Sequence, residues 1–156
     1  MRVLLLAIGK TDETYLLEGI KKYQQRLQHY LQFEFVALPD LRQPPSLESQ
    51  RQIEEGKLIL KQLQRNDRLV LLDEKGNTFN STGFARWLEK TSMQGSGRMV
   101  FVIGGPFGFS NEVKEAAISS ISLSPLTFSH QMVRLFFVEQ LYRACTILKG
   151  EKYHHD

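Results

Sequence analysis

The amino-acid sequence predicts an α/β fold: a mostly parallel sheet flanked by helices. Three observations carry this. Val3 to Ile8, Leu69 to Leu72 and Met99 to Ile103 are continuous apolar runs, the pattern of strands covered on both faces. Segments of helical periodicity stand between them, and alternating strand and helix is the signature of a parallel sheet. Two of the runs end directly in glycine turns, Gly9-Lys10 and Gly104-Gly105-Pro106-Phe107-Gly108. Ligands of open parallel sheets sit beyond the carboxyl ends of the strands, where such turns lie.

Taken in order, the first strand, Val3 to Ile8, leads through Thr11 and Asp12, whose side chains suit a helix cap. Leu16, Ile20, Tyr23, Leu27 and Tyr30 then recur at alternating spacings of four and three, one face of a helix. Phe33 to Leu38 reads as a second strand. Pro39 to Ser49 holds three prolines and Arg42, and is a loop. Ser49 with Gln52 resembles a capping box, opening a charge-rich helix to about Gln64 with Ile53, Leu60 and Leu63 as its inner edge. Leu69 to Leu72 is the next strand, and Asp73 to Asn77 a turn at its end. Ser81 caps a helix through Phe84, Trp87 and Leu88. Met99 to Ile103 follows, then the glycine turn, a short helical segment, a strand from Ser119 to Leu123, and a loop from Ser124 to His130.

The last helix, Met132 to Leu148, is apolar all round: Leu135, Phe136, Phe137, Val138 and Leu141 point in nearly every direction. Such a helix must be buried all round. Near the end of a chain of 156 residues, that predicts one face on its own sheet and another on a second copy of the chain. The length itself predicts a single domain over residues 1–156.

Composition narrows the class. Apolar residues make up 42% and charged residues 24%, ordinary globular values that argue against disorder. A net charge of +3 permits a polyanionic partner without demanding one. The single cysteine, Cys145, excludes an internal disulfide and a cysteine-based zinc site, so the expected setting is cytoplasmic. The N-terminal apolar run reaches Gly9-Lys10 too soon for a signal peptide. No stretch approaches the roughly 20 apolar residues that span a bilayer.

The motifs admit several chemistries. The turn from Gly104 to Gly108 lacks the G-x-G-x-x-G spacing, and no acid lies between Glu115 and Glu139 to hold a ribose, so a dinucleotide fold is excluded. Ser124-Pro125-Leu126-Thr127 mixes apolar side chains with backbone amides and suits a flat adenine ring. His130 fits a catalytic base, an RNA contact or a helix cap. Arg134, in so apolar a helix, needs a partner, for which Glu139 is available. Tyr153-His154-His155 forms a terminal tail, and without further ligands its histidines do not suggest a metal.

Together, Phe101 to Gly108, Ser122 to Phe128, His130-Gln131-Met132-Val133-Arg134, Glu139 to Ala144 and Tyr153-His154 form a specific combination. It resembles the RlmH family of small bacterial methyltransferases, which act on pseudouridine in large-subunit ribosomal RNA. Leu6 to Lys10 and Leu72 to Gly76 match as well, so the resemblance covers essentially the whole chain.

The resemblance implies a SPOUT-type fold with a C-terminal trefoil knot, a homodimer, and S-adenosyl-L-methionine as methyl donor. It implies methylation at N3 of a pseudouridine in 23S ribosomal RNA on the assembled ribosome. Donor-binding residues carried over by position are Leu72, Gly104, Leu123, Ser124, Pro125, Leu126, Thr127 and Phe128. His154, Arg134 and Tyr153 are the expected catalytic residues near the target base, and Lys10, Lys22, Arg26 and Arg42 the expected phosphate contacts. The tail is expected to reach the partner's donor site. Neither metal nor membrane is implied. The alternatives are 2′-O-methylation of tRNA ribose and a non-catalytic ribosome-binding factor. Two positions depart from the family pattern: Ser129 stands where proline is usual, and His155 where a base is usual.

Overall fold

The computed structural model describes residues 1–154. Five strands, β1 (Arg2–Ile8), β2 (Gln32–Leu38), β3 (Arg68–Thr78), β4 (Met99–Ile103) and β5 (Ala117–Ser122), form one sheet in the order β2-β1-β4-β3-β5. Every pairing is parallel. The helices are α1 (Thr14–Leu27), α2 (Glu48–Leu60), α3 (Ser81–Met93), α4 (Asn111–Ala116) and α5 (Met132–Leu148).

The continuous apolar runs follow from coverage on both faces. Alternate residues of β1, β4 and β3 enter two separate cores. Val3, Leu5, Ala7, Met99, Phe101, Ile103, Val70 and Leu72 join Ile20 of α1, Leu88 of α3 and Phe137 and Leu141 of α5. Leu4, Leu6, Ile8, Val100, Val102, Leu69 and Leu71 join Ile59 of α2 and Val113 of α4. The segregation follows from right-handed crossovers. Connections from β1 to β2 and from β3 to β4 run one way along the sheet, those from β2 to β3 and from β4 to β5 the other, so their helices take opposite faces. Adjacent strands β3 and β4 therefore send the chain to opposite sides, which opens a crevice at their carboxyl ends.

Several local expectations are corrected. Thr11 and Asp12 do not cap α1: Glu13 holds the cap position without a side-chain bond, and the Thr11 hydroxyl accepts from Arg134 instead. Nor does a capping box open α2, whose N-cap is Leu47. Of its expected inner edge, Leu60 and Leu63 pack against the second core, whereas Ile53 is 39% exposed and the buried residues are Glu55, Gly56 and Ile59. The cap of α3 is Asn80, one residue before Ser81, accepting from Gly83 N.

The segment Asp73 to Asn77 is not a simple turn. β3 runs on to Thr78 and bulges, so that Leu72 and Asn77 both face Ile121 of β5. A Cβ at Gly76 would lie 2.5 Å from Ile121 N, hence a residue without one.

The prediction for α5 is borne out in its bounds. Within its own chain it lies between α1 and α3, with Leu135 against Gly19 of α1, where a Cβ would stand 2.9 Å from Leu135 Cδ1. Much of its all-round apolar character is thus consumed internally. Phe136 stays exposed beside Phe128, with ring centroids 4.6 Å apart, and Tyr15 is exposed beside Met132.

Candidate active site

Three chain segments leave the sheet at the crevice and enclose a cleft of about 720 Å³, a size suited to a cofactor. The β3 bulge contributes Leu72, Asp73, Glu74 and Lys75, and the turn after β4 contributes Ile103 to Phe109. The segment after β5 contributes Ile121 to Ser124 and Leu126 to His130, with Val133 of α5 behind them. The turn is built on Gly108, at φ +78°, whose N–H donates to Gly105 O at 3.1 Å.

A hydrogen-bond chain shapes the third segment. Ser122 Oγ donates to Ser124 O at 2.8 Å, Leu126 N to Ser124 Oγ at 2.9 Å, and Thr127 Oγ1 to Glu74 Oε2 at 3.2 Å. Leu126 is left 72% exposed. Ser129 also has a role here: its Oγ accepts from Met132 N at 3.1 Å, satisfying one of the N–H groups that the first turn of a helix leaves unbonded.

Of the eight residues expected to hold the donor, Leu72, Gly104, Leu123, Ser124, Leu126, Thr127 and Phe128 line this one cleft, and Pro125 does not. A Cβ on Gly104 would meet the Phe109 ring at 3.1 Å and Gly108 O at 3.3 Å. A side chain there would thus press into the turn's own packing. The walls fit an adenosyl group: Leu72, Ile103, Leu123 and Leu126 are flat apolar surface, with backbone groups and Ser124 and Thr127 between them.

The expected catalytic residues lie elsewhere. Arg134 is fully buried. It donates to Ile8 O and Thr11 Oγ1, both at 2.7 Å, and to His130 O at 3.0 Å. Burial lowers its pKa, with Asp40 and Asp12 acting the other way. It ties the end of β1 to the entry of α5, and its partners are these acceptors rather than Glu139. Glu139 pairs with Arg143 at 2.5 Å, and that hydrogen bond holds the Arg143 pKa above its ordinary value.

Tyr153 packs edge-on against Tyr142, with centroids 4.8 Å apart, donates to Glu139 Oε1 at 3.0 Å and meets Tyr23 Oη at 3.2 Å. Burial, with the bonds to Tyr23 and Glu139, raises its pKa. His154 Nδ1 lies 3.3 Å from Arg143. Through residue 154 the tail therefore packs on its own chain. His155 lies outside the described residues. Arg26, expected on phosphate, lies over the Tyr23 and Tyr142 rings at 5.6 and 5.5 Å.

Sequence reasoning missed the contribution of α2. Gln52 Nε2 donates to Phe107 O at 2.5 Å, Arg51 lies 5.4 Å from the Phe107 ring, and the Glu55 carboxylate stands against Gly105. One signal was available: glycine inside a helix costs about 1 kcal/mol against alanine, so Gly56 marks close packing. A Cβ there would meet Ser110 Oγ at 2.6 Å.

An open parallel sheet with a cofactor-sized cleft at its crossover point defines an α/β protein whose three strand-end loops line one ligand-sized site. The family model described as predicted SPOUT methyltransferase matches residues 1–154, and the chain belongs to that family. Proteins named ribosomal RNA large subunit methyltransferase H are similar along their full length. That of Christiangramia forsetii is 55% identical, covering 99% of each chain. That of Cytophaga hutchinsonii is 52% identical, covering 99% of this chain and all of the relative. That of Parabacteroides distasonis is 53% identical, covering both chains entirely. A solved SpoU methyltransferase from Streptomyces viridochromogenes aligns with 97% of this chain and 59% of its own, at 12% identity and a TM-score of 0.47, too loose a likeness to bear on the site. No described helix is long and apolar enough to cross a membrane.

Proposed function

We propose that the protein transfers a methyl group from S-adenosyl-L-methionine to N3 of a pseudouridine in large-subunit ribosomal RNA, acting on the assembled ribosome. The observation that carries this is the three-loop cleft, which gathers seven of the eight expected donor residues in a chain 48–55% identical to proteins named for that RNA. The donor supplies an electrophilic methyl on a sulfonium. The acceptor nitrogen, once its proton had passed to solvent, would take that methyl, with S-adenosylhomocysteine as the leaving group.

The protein's task is placement. Leu72, Leu123 and Leu126 would hold the adenine, with backbone groups of Gly104, Leu123, Ser124 and residues 126–128 available to its edge. A homodimer of SPOUT type, with the C-terminal knot, belongs to the same reading. His130 and Val133 at the start of α5 line the cleft, whereas Tyr153 rests on Tyr142. Nine residues of helix separate Val133 from Tyr142, about 13 Å at 1.5 Å per residue. Tyr153 and His154 therefore serve the partner's cleft, and the exposed Phe136 and Tyr15, with Phe128 beside Phe136, form part of the interface.

Nucleoside mass spectrometry of 23S RNA from a deletion strain tests this. One N3-methylpseudouridine is absent and returns with the wild-type gene. A missing ribose methyl in tRNA would favour the 2′-O reaction, and an unchanged RNA a non-catalytic factor. Mixing Gly104→Val protein with protein lacking residues 153–156 regains activity if the tail acts on the other chain. Inactivity of mixtures that demonstrably exchange subunits would refute that arrangement.

A further inference from the structure

Glu55 is the anomaly of the second core. It lies on the inner edge of α2 and is 2% exposed. Oε1 accepts from Arg51 Nε at 2.9 Å, whereas Oε2 has no hydrogen-bond partner among the described residues. A buried carboxylate oxygen without a donor is costly, so its surroundings bear on what it does.

Those surroundings are the back of the cleft wall. A Cβ added to Gly105 would find Glu55 Oε2 at 2.2 Å, with Cδ and Oε1 both at 2.8 Å. Gly105 itself lines the cleft. Its lack of a side chain therefore lets a negative charge approach the wall to the thickness of one backbone. The countercharge meets the other oxygen: Arg51, with a side chain 25% exposed, lies over Phe107 of the same turn, whereas the carboxylate stands directly behind Gly105. Water screens an exposed cation more than a buried anion. The pair is neutral as a whole but presents a negative potential at Gly105.

We propose that Glu55 is an electrostatic positioning residue, whose unpartnered carboxylate oxygen behind Gly105 makes the cleft favour a cationic sulfonium donor over its neutral thioether product. This rests on the donor reading above. The two ligands differ by one methyl and one positive charge at sulfur, so a charge behind the wall acts on their ratio, whereas packing acts on both. Favouring the donor in this way also lessens competition from the product.

Calorimetry of S-adenosylmethionine and S-adenosylhomocysteine tests the inference without any turnover. Glu55→Gln keeps the side chain's shape and removes its charge. The donor-to-product affinity ratio should fall roughly fivefold, the factor for losing one charge within about 8 Å at an effective dielectric of about 40. Arg51→Met leaves the Glu55 charge unopposed and should move the ratio the other way, which keeps the test decisive if Glu55→Gln does not fold. Equal weakening of both ligands, or ratios within twofold of wild type in the variants that fold, would reduce Glu55 to packing and overturn the proposal. If the wild-type protein binds neither ligand, the donor reading itself fails.

Discussion

Replacing Arg134 with methionine separates a structural arginine from a catalytic one. The side chain is fully buried, and its bonds to Ile8 O and Thr11 Oγ1, at 2.7 Å each, are buried too. A hydrogen bond from a charged donor contributes about 1.5–3 kcal/mol. Methionine fills most of the stem volume and relieves the desolvation of the guanidinium, but strands both acceptors. The net loss should be about 3 kcal/mol, or about 6–12 °C in Tm for a chain of this size.

The bond to His130 O extends the effect to the cleft, so affinity for S-adenosylhomocysteine should fall with stability. Arg134→Lys, which keeps a charge but not the fork of donors, should lie between. Thermal unfolding and calorimetry on the three proteins measure both quantities. Had methionine left Tm within about 2 °C and donor affinity intact while abolishing transfer, the arginine would act on the reacting base, and the structural assignment would be wrong.

Two further outcomes concern titration. Burial pushes the Asp67 carboxyl up, but the Arg98 side chain, bonded at 2.6 Å, with the backbone N–H groups of Gln64 and Arg98, outweighs it and holds the pKa below the ordinary 3.8. A depressed carboxylate stabilises the fold above its unfolded pKa, and the benefit is lost as pH falls through the lower folded value. Urea unfolding between pH 6 and 3 should therefore lose less stability with acid in Asp67→Asn than in wild type; parallel curves would contradict the assignment. Burial pushes the Cys145 thiol up to about 11, so at pH 8 a disulfide reagent should label it only on unfolding, and prompt labelling of native protein would place it at the surface.

Much of this architecture was legible in the chain because its signals are local. The runs Val3 to Ile8 and Met99 to Ile103 betray coverage on two faces wherever they lie, and α5 was recoverable to the residue. The loops that line the cleft were picked out by family resemblance, aided by the rule that ligands gather at strand ends. Other features depended on partners distant in sequence. Gly56 marks close packing within Glu48 to Leu60, but does not say that the neighbouring Glu55 rather than Ile53 faces inward, because the turn Glu55 meets, at Gly105, lies 50 positions on. Arg134 looked like a cation seeking Glu139 five residues away. Its two buried acceptors lie on Ile8 and Thr11, more than 120 residues back. The segment Asp73 to Gly76 read as a turn because a bulge is defined by the opposing strand, and Ile121 takes that place only once β5 has crossed to pair with β3. The tail behaved likewise, gaining order from Tyr23, Glu139 and Tyr142, three surfaces that meet only when α1 and α5 pack. Periodicity and turn chemistry are properties of neighbouring residues, and the sequence alone determined them. The satisfaction of buried charge is a property of the packed whole, and the tertiary structure decided where Arg134 found its acceptors and set the unpartnered oxygen of Glu55 behind Gly105.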